Sequence, residues 1–265
     1  MTGPDEASLI WLRPEPSGRK PRYTREQIAR TALAIADEEG FEAVTMKRIA
    51  SELGSSTMAL YYYVRTKADI IALMHDSILE EVLIAADEIP ADWRAATAEI
   101  SRRSRNALVA HPWSLASLND AQFGPNAVRH YEQSLAALRR TNLTTPQKIA
   151  LTAILDDYVV GSALHTVESL ERARAAEQNP ATVTDAMAFG EALMGTGDFP
   201  ELAALYASAN AQTDGGLDAD GPAMGADTLS DQFEAGLNAL LDGLSHRMGV
   251  RGSSPIGSTD TPGST

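Results

Sequence analysis

Cysteine is absent from this chain of 265 residues. Its absence excludes a disulfide framework, a thiolate nucleophile and any thiolate metal site. No apolar run approaches the roughly 18 residues that a membrane span needs. Residues 1–23, MTGPDEASLIWLRPEPSGRKPRY, carry only a short apolar core behind acidic residues. An export signal starts basic and has a longer apolar run, so the cytoplasm is the expected location and no membrane partner is expected. Catalytic signatures are missing as well. There is no His-Glu-x-x-His, no Walker-type phosphate loop and no Gly-x-Gly-x-x-Gly. The five histidines (His75, His111, His130, His165 and His246) show no ligand spacing, so neither a metal nor a cofactor is expected.

What is present is an ordinary globular composition, 44% hydrophobic and 22% charged, with a formal net charge of −14. The average conceals an asymmetry. Residues 17–67 hold nine bases against six acids, a balance of +3, which leaves −17 for the remainder. A basic segment on an acidic body suits a module that meets phosphate while its body stays dispersed.

The pattern is helical throughout. Thr24 and Gln27 in TREQ form a capping box. Ile28, Ala32, Ile35 and Ala36 then share one face, and Gly40 supplies the stop. A short helix opens at Thr45 and ends at Gly54. A third starts after Ser56 and runs to about Tyr63. TKAD at 66–69 is a second capping box, opening a helix expected to continue until Pro90 breaks it. Further helices are expected over 92–110, 113–118, 125–141, 145–176, 184–194, 200–209 and 229–248. With no strand-like alternation of useful length, the expected fold class is all-α. The domain plan is a flexible extension (1–21), a helix-turn-helix domain (22–68) and a larger helical domain (69–248). A mobile loop is expected at 210–227 and a disordered tail at 249–265.

Aromatics are scarce (6%), yet three of the seven tyrosines stand together in STMALYYYVRTK. Two short helices about a tight turn at 45–63 have the spacing of a helix-turn-helix, whose second helix enters the DNA major groove. Leu60 and Val64 are four apart and pack inward. Tyrosines on the other side can bond phosphate or lie on sugar and thymine methyl groups. Alternatively they wedge the N-terminal bundle, an option that stays open for Tyr63 above all.

The stretch TREQIARTALAIADEEGFEAVTMKRIASELGSSTMALYYYVRTKADII closely resembles the DNA-binding domain of the TetR family of bacterial transcriptional repressors. The resemblance is carried by Gly40-Phe41, Val44-Thr45, Ile49-Ala50 with Leu53-Gly54, and Leu60-Tyr61 followed by Lys67. It implies double-stranded operator DNA as partner, with contacts at Thr45, Met46, Lys47, Thr57, Met58, Ala59, Tyr61, Tyr62, Tyr63 and Lys67. Ser55 departs from it, standing where the family has an aliphatic residue in the turn. Residues 19–22 are either an arm along the DNA or a plain tail.

Past Leu83 the chain is similar to the tetracycline-repressor branch, more loosely. That likeness implies a homodimer built from the long and the last helices. The apolar stripe Phe233, Leu237, Leu240, Leu241 and Leu244 is the candidate interface, and intrachain core is an equal reading of the residues. Leu83, Ile100 and Leu118 fall where that branch holds drug and magnesium, and none can do so, so tetracycline is not the expected ligand. The candidate pocket for an apolar or aromatic effector is Trp113, Phe123, His130, Tyr131, Tyr158 and His165. The expected function is a ligand-responsive, non-enzymatic repressor whose helix 69–89 links pocket to DNA reader. Two rivals remain. One is an all-α magnesium-dependent enzyme of isoprenoid type using Asp156 and Asp157, although Val160 leaves its ligand set incomplete. The other is an adaptor without DNA binding.

Overall fold

The computed structural model describes residues 9–14, 23–118, 123–212 and 226–250. Every regular element among the described residues is helical. The chain divides into two units, one comprising Met1–Leu164 with Leu237–Thr265 and the other His165–Gly236.

The first unit opens with a 3-10 turn, Ile10–Leu12. Helix α1 (Arg25–Glu39) starts on the capping box read from sequence: Thr24 Oγ1 accepts from the Gln27 N–H at 3.1 Å, and Gln27 Oε1 accepts from the Thr24 N–H at 3.0 Å. It stops at Gly40, whose φ of +89° would strain a residue with a Cβ. Helices α2 (Met46–Glu52) and α3 (Thr57–Leu60) flank Gly54, at φ +60°. Helix α4 (Lys67–Val82) carries the second capping box. Ile28, Ala32, Ile49, Leu60, Val64, Ile70, Met74 and Ile78 close over one core. Each full burial of a large aliphatic side chain contributes about 1.5–3 kcal/mol. Ser55 Oγ is buried without a hydrogen-bond partner, the physical cost of a hydroxyl where the turn asks for an aliphatic group.

Helix α4 ends at Val82, not at the proline eight residues on. Side chains from other helices take over its last backbone groups. Gln133 accepts from the Ile84 N–H at 3.0 Å and donates to the Val82 carbonyl at 3.3 Å, while Arg103 donates to the Leu83 carbonyl at 3.2 Å. Released from the helix, Ile84 enters a second small core with Ala96, Ile100 and Ala137.

Helices α5 (Trp93–Ala110), α6 (Trp113–Ala116) and α7 (Pro125–Ala137) follow. The third helix and α7 are shorter than expected, each passing into a turn. Helix α8 (Thr145–Gln178) runs from this unit into the second, and α11 (Ala226–Met248) returns from it. The second unit also holds α9 (Pro180–Met194) and α10 (Pro200–Gln212), which lie against each other.

The plan for the ends changes in detail. Residues 9–14 of the expected flexible extension are ordered against the core, with Ile10 fully buried. Most of the expected mobile loop lies outside the described residues, and its margins, 210–212 and 226–227, are helical. Of the expected tail, only Gly249 and Val250 are described; Asn142 donates to the Gly249 carbonyl at 2.9 Å. No helix of the described residues is long and apolar enough to cross a membrane.

Candidate nucleic-acid interface

Ser56 accepts from the Ala59 N–H at 3.2 Å and so fixes the start of α3. Thr45 does the same for α2 through the Arg48 N–H at 3.1 Å. These caps orient the faces of both helices. Thr45 and Lys47 are exposed, and Met46, Thr57 and Ala59 are half-buried. Met58 is 80% exposed, Tyr62 69% and Tyr61 48%. Three large side chains left in water make a surface that calls for a partner. Arg48 does not join it, because Glu39 (2.6 Å) and Glu52 (2.7 Å) hold its guanidinium.

Tyr63 departs from the DNA-contact set. It is 7% exposed, its hydroxyl accepts from the Tyr23 N–H at 3.4 Å, and its ring meets Tyr23 edge-on at 6.3 Å. The reason is register. Tyr63 stands three residues after Leu60 and shares its inward face, whereas Tyr61 and Tyr62 turn away. Tyr23 in turn donates to the Leu53 carbonyl at 2.8 Å, bracing the turn between α2 and α3.

Lys67 Nζ lies 5.0 Å from the centroid of Phe41, and Phe41 stacks in parallel on Trp113 at 5.6 Å. Trp113 donates from Nε1 to Asp37 at 2.9 Å. His111 aims both ring nitrogens at carboxylates, Nδ1 at Asp37 (2.9 Å) and Nε2 at Glu81 (3.3 Å). Trp113 therefore belongs to the N-terminal core rather than to a ligand pocket. This column from Lys67 to α6 was not legible in the sequence, since the pairs just described are 26 to 76 residues apart.

The other five candidate pocket residues differ in exposure. Phe123 is 68% exposed, Tyr131 37%, and His165 is exposed in the second unit. Tyr158 is half-buried. His130 is half-buried too; burial pushes its pKa down, and its Nδ1 accepts from Gln133 at 3.1 Å. Two cavities lie elsewhere in the first unit. One is an open cleft of about 540 Å³ bounded by Arg94, Glu99, Arg102 and Arg103. The other, about 20 Å³, lies among α5, α7 and α8. Thr97, Ser101, Ser134 and Thr152 line it beside Ile100, Leu138 and Leu155. Asp156 borders this second cavity while reaching solvent on its other side. Surrounding protein, and secondarily the Asp157 charge, push its pKa up to about 6. Among the described residues no group of three or more His, Cys, Asp or Glu could hold a metal ion.

Of the two readings of the candidate dimer stripe, burial favours intrachain core. Phe233, Leu237, Leu241 and Leu244 are buried within the chain itself, and Leu240 is half-buried. Within the first unit, Arg94 pairs with Asp242 at 2.8 Å and donates to the Asn238 carbonyl at 3.2 Å, tying α11 to α5.

Comparison with known proteins agrees with this architecture. Residues 28–74 match the family described as bacterial regulatory proteins, tetR family, and residues 87–248 match the tetracyclin repressor-like C-terminal domain. The chain is 32% identical over 242 residues to the HTH-type transcriptional repressor DrrR1 of Streptomyces coeruleorubidus, covering 89% of this chain and 83% of that one. An HTH-type transcriptional regulator of Saccharopolyspora erythraea is 29% identical, covering 91% of this chain and 93% of its own. Among solved structures, the TetR family protein ActR of Streptomyces coelicolor, in complex with actinorhodin, superposes with a TM-score of 0.65 at 27% identity, over 86% of this chain and 97% of that one. The chain belongs to the TetR family of bacterial transcriptional regulators.

Proposed function

We propose that the protein is a homodimeric repressor that leaves its operator when a small molecule enters the C-terminal domain. The observation that carries the DNA-binding part is the exposed set Met58, Tyr61 and Tyr62 on the capped recognition helix and the turn that follows it. Thr45, Met46, Lys47, Thr57 and Ala59 complete the contact surface; Tyr63 supports it from within. A titration of the protein with duplex from upstream of its own gene, against unrelated duplex, at two salt concentrations tests the reading. Tighter, salt-dependent binding to the upstream duplex is the expected result. No salt-dependent affinity for either duplex would favour the adaptor reading, and equal weak binding to both would point to a distant operator or a lost reader.

Lys67→Ala should weaken binding to every duplex and flatten the log–log salt dependence by about one unit, the worth of one phosphate contact. An unchanged slope removes Lys67 from the contact surface. Its ammonium rests over Phe41 in this structure.

The effector reading rests on the small space among α5, α7 and α8 and on ActR, solved with actinorhodin and with (S)-DNPA. An effector expanding that space would displace α5 and α6, and with them the His111–Asp37 and Trp113–Phe41 contacts. DNA affinity falls only if the effector prefers the displaced arrangement.

The dimer face in this reading is the outward side of α8 and α11. Ile149, Ile154 and Leu164 are 47%, 37% and 44% exposed there. Gly161 and Gly243 sit mid-helix, where glycine costs about 1 kcal/mol, and nothing faces either within 4 Å. A second copy would fill that space. Gly161→Arg should give a folded monomer on sizing with unchanged helical circular dichroism; a persistent dimer places the interface elsewhere.

A further inference from the structure

We infer that residues 9–13 form a strap that positions the joint between the recognition helix and α4 and couples it to the start of α7. The inference rests on the DNA-reading role just proposed. Three sets of contacts carry it. Ile10 is fully buried in the N-terminal core. Arg25, the first residue of α1, donates to the Ile10 and Arg13 carbonyls at 3.1 and 2.9 Å and to the Tyr63 carbonyl at 3.3 Å. The strap is thus fastened to the last turn of the reader.

At one end, Arg13 and Asp69 form an ion pair with side chains only 6% and 4% exposed. The other Asp69 oxygen accepts from the N–H groups of Arg65 (2.8 Å) and Thr66 (3.2 Å). Arg13 therefore holds the carboxylate that shapes the loop presenting Lys67. At the other end, Trp11 lies against Gly124, the residue capping α7. A Cβ on Gly124 would come within 2.7 Å of Trp11 Cζ2 and would also collide with Asp76. Asp76, from α4, accepts the Asn126 and Ala127 N–H groups at 2.9 and 3.3 Å.

Trp11 and Arg13 are two residues apart, within and just after a 3-10 turn closed by Leu12 N–H to the Leu9 carbonyl at 3.1 Å. A displacement of α7 that moves Gly124 must either part from Trp11 or drag Arg13 against Asp69. A buried ion pair tolerates little separation, because each charge pays its desolvation alone. The link is stiff, and it runs parallel to α4 rather than through it.

Amide hydrogen exchange on the full chain tests the strap without DNA. Gly124→Ala should speed exchange at the Arg65 and Thr66 amides about tenfold by expelling Trp11. In a Trp11→Ala background the same substitution should change those two amides by less than about twofold. Asn126 and Ala127 should respond in both backgrounds, through Asp76. Trp11→Ala alone should also speed Arg65 and Thr66, which serves if Gly124→Ala does not fold. Unchanged rates at Arg65 and Thr66, or an equal Gly124→Ala effect with and without Trp11, would overturn the strap. Failure of the wild-type protein to prefer its upstream duplex would instead count against the DNA-reading role and leave the exchange result standing.

Discussion

Replacing Leu237 and Leu241 together by glutamate should unfold the first unit rather than release a folded monomer. Both side chains are 0% exposed within the chain. Removing each leucine costs about 2–5 kcal/mol in lost packing, and each glutamate adds the cost of burying a carboxylate. The two together match or exceed the roughly 5–15 kcal/mol by which a domain is stable. Loss of helical circular dichroism and of a cooperative melt is the expected outcome. A folded, monomeric double variant would return these leucines to the dimer interface. Leu240→Glu, at a half-buried position, should by contrast remain folded.

That stripe shows where sequence stops informing. A 3.6-residue apolar stripe on α11 establishes that one face is covered, not whether its own chain or a second copy covers it. The helix starts were legible because Thr24 with Gln27 and Thr66 with Asp69 act over three residues. The end of α4 was not, because it is decided by Gln133 and Arg103, 51 and 20 residues from the carbonyls they bind. The burial of Tyr63 was legible in principle from its spacing to Leu60. The surroundings of the candidate pocket residues were not legible for a different reason. An aromatic residue type does not fix its surroundings: Trp113 fills core, and the small cavity is lined by Thr97, Ser101, Ser134 and Thr152 beside Ile100, Leu138 and Leu155. Composition does not reveal where space is left.

Asp69→Ala should be the most costly single substitution at the reader, at about 3–5 kcal/mol. Asp69 carries two loads that one alanine removes at once. It neutralises the buried Arg13 guanidinium, and it caps α4 by accepting from Arg65 and Thr66. Losing a cap alone costs about 1 kcal/mol; most of the effect comes from stranding Arg13 without a counter-charge. The two loads separate in a double variant. Arg13→Met removes the stranded charge while filling much of the same volume, so Arg13→Met with Asp69→Ala should be more stable than Asp69→Ala alone. Denaturant midpoints of the wild type, both singles and the double measure the coupling directly. A double variant less stable than Asp69→Ala would mean that Arg13 serves mainly through its aliphatic stem and its own packing. The sign of that one difference decides whether the loop presenting Lys67 is held by charge or by shape. If by charge, operator affinity should weaken in Asp69→Ala even at temperatures far below its melt, because the Arg65–Lys67 backbone has lost the carboxylate that fixes it.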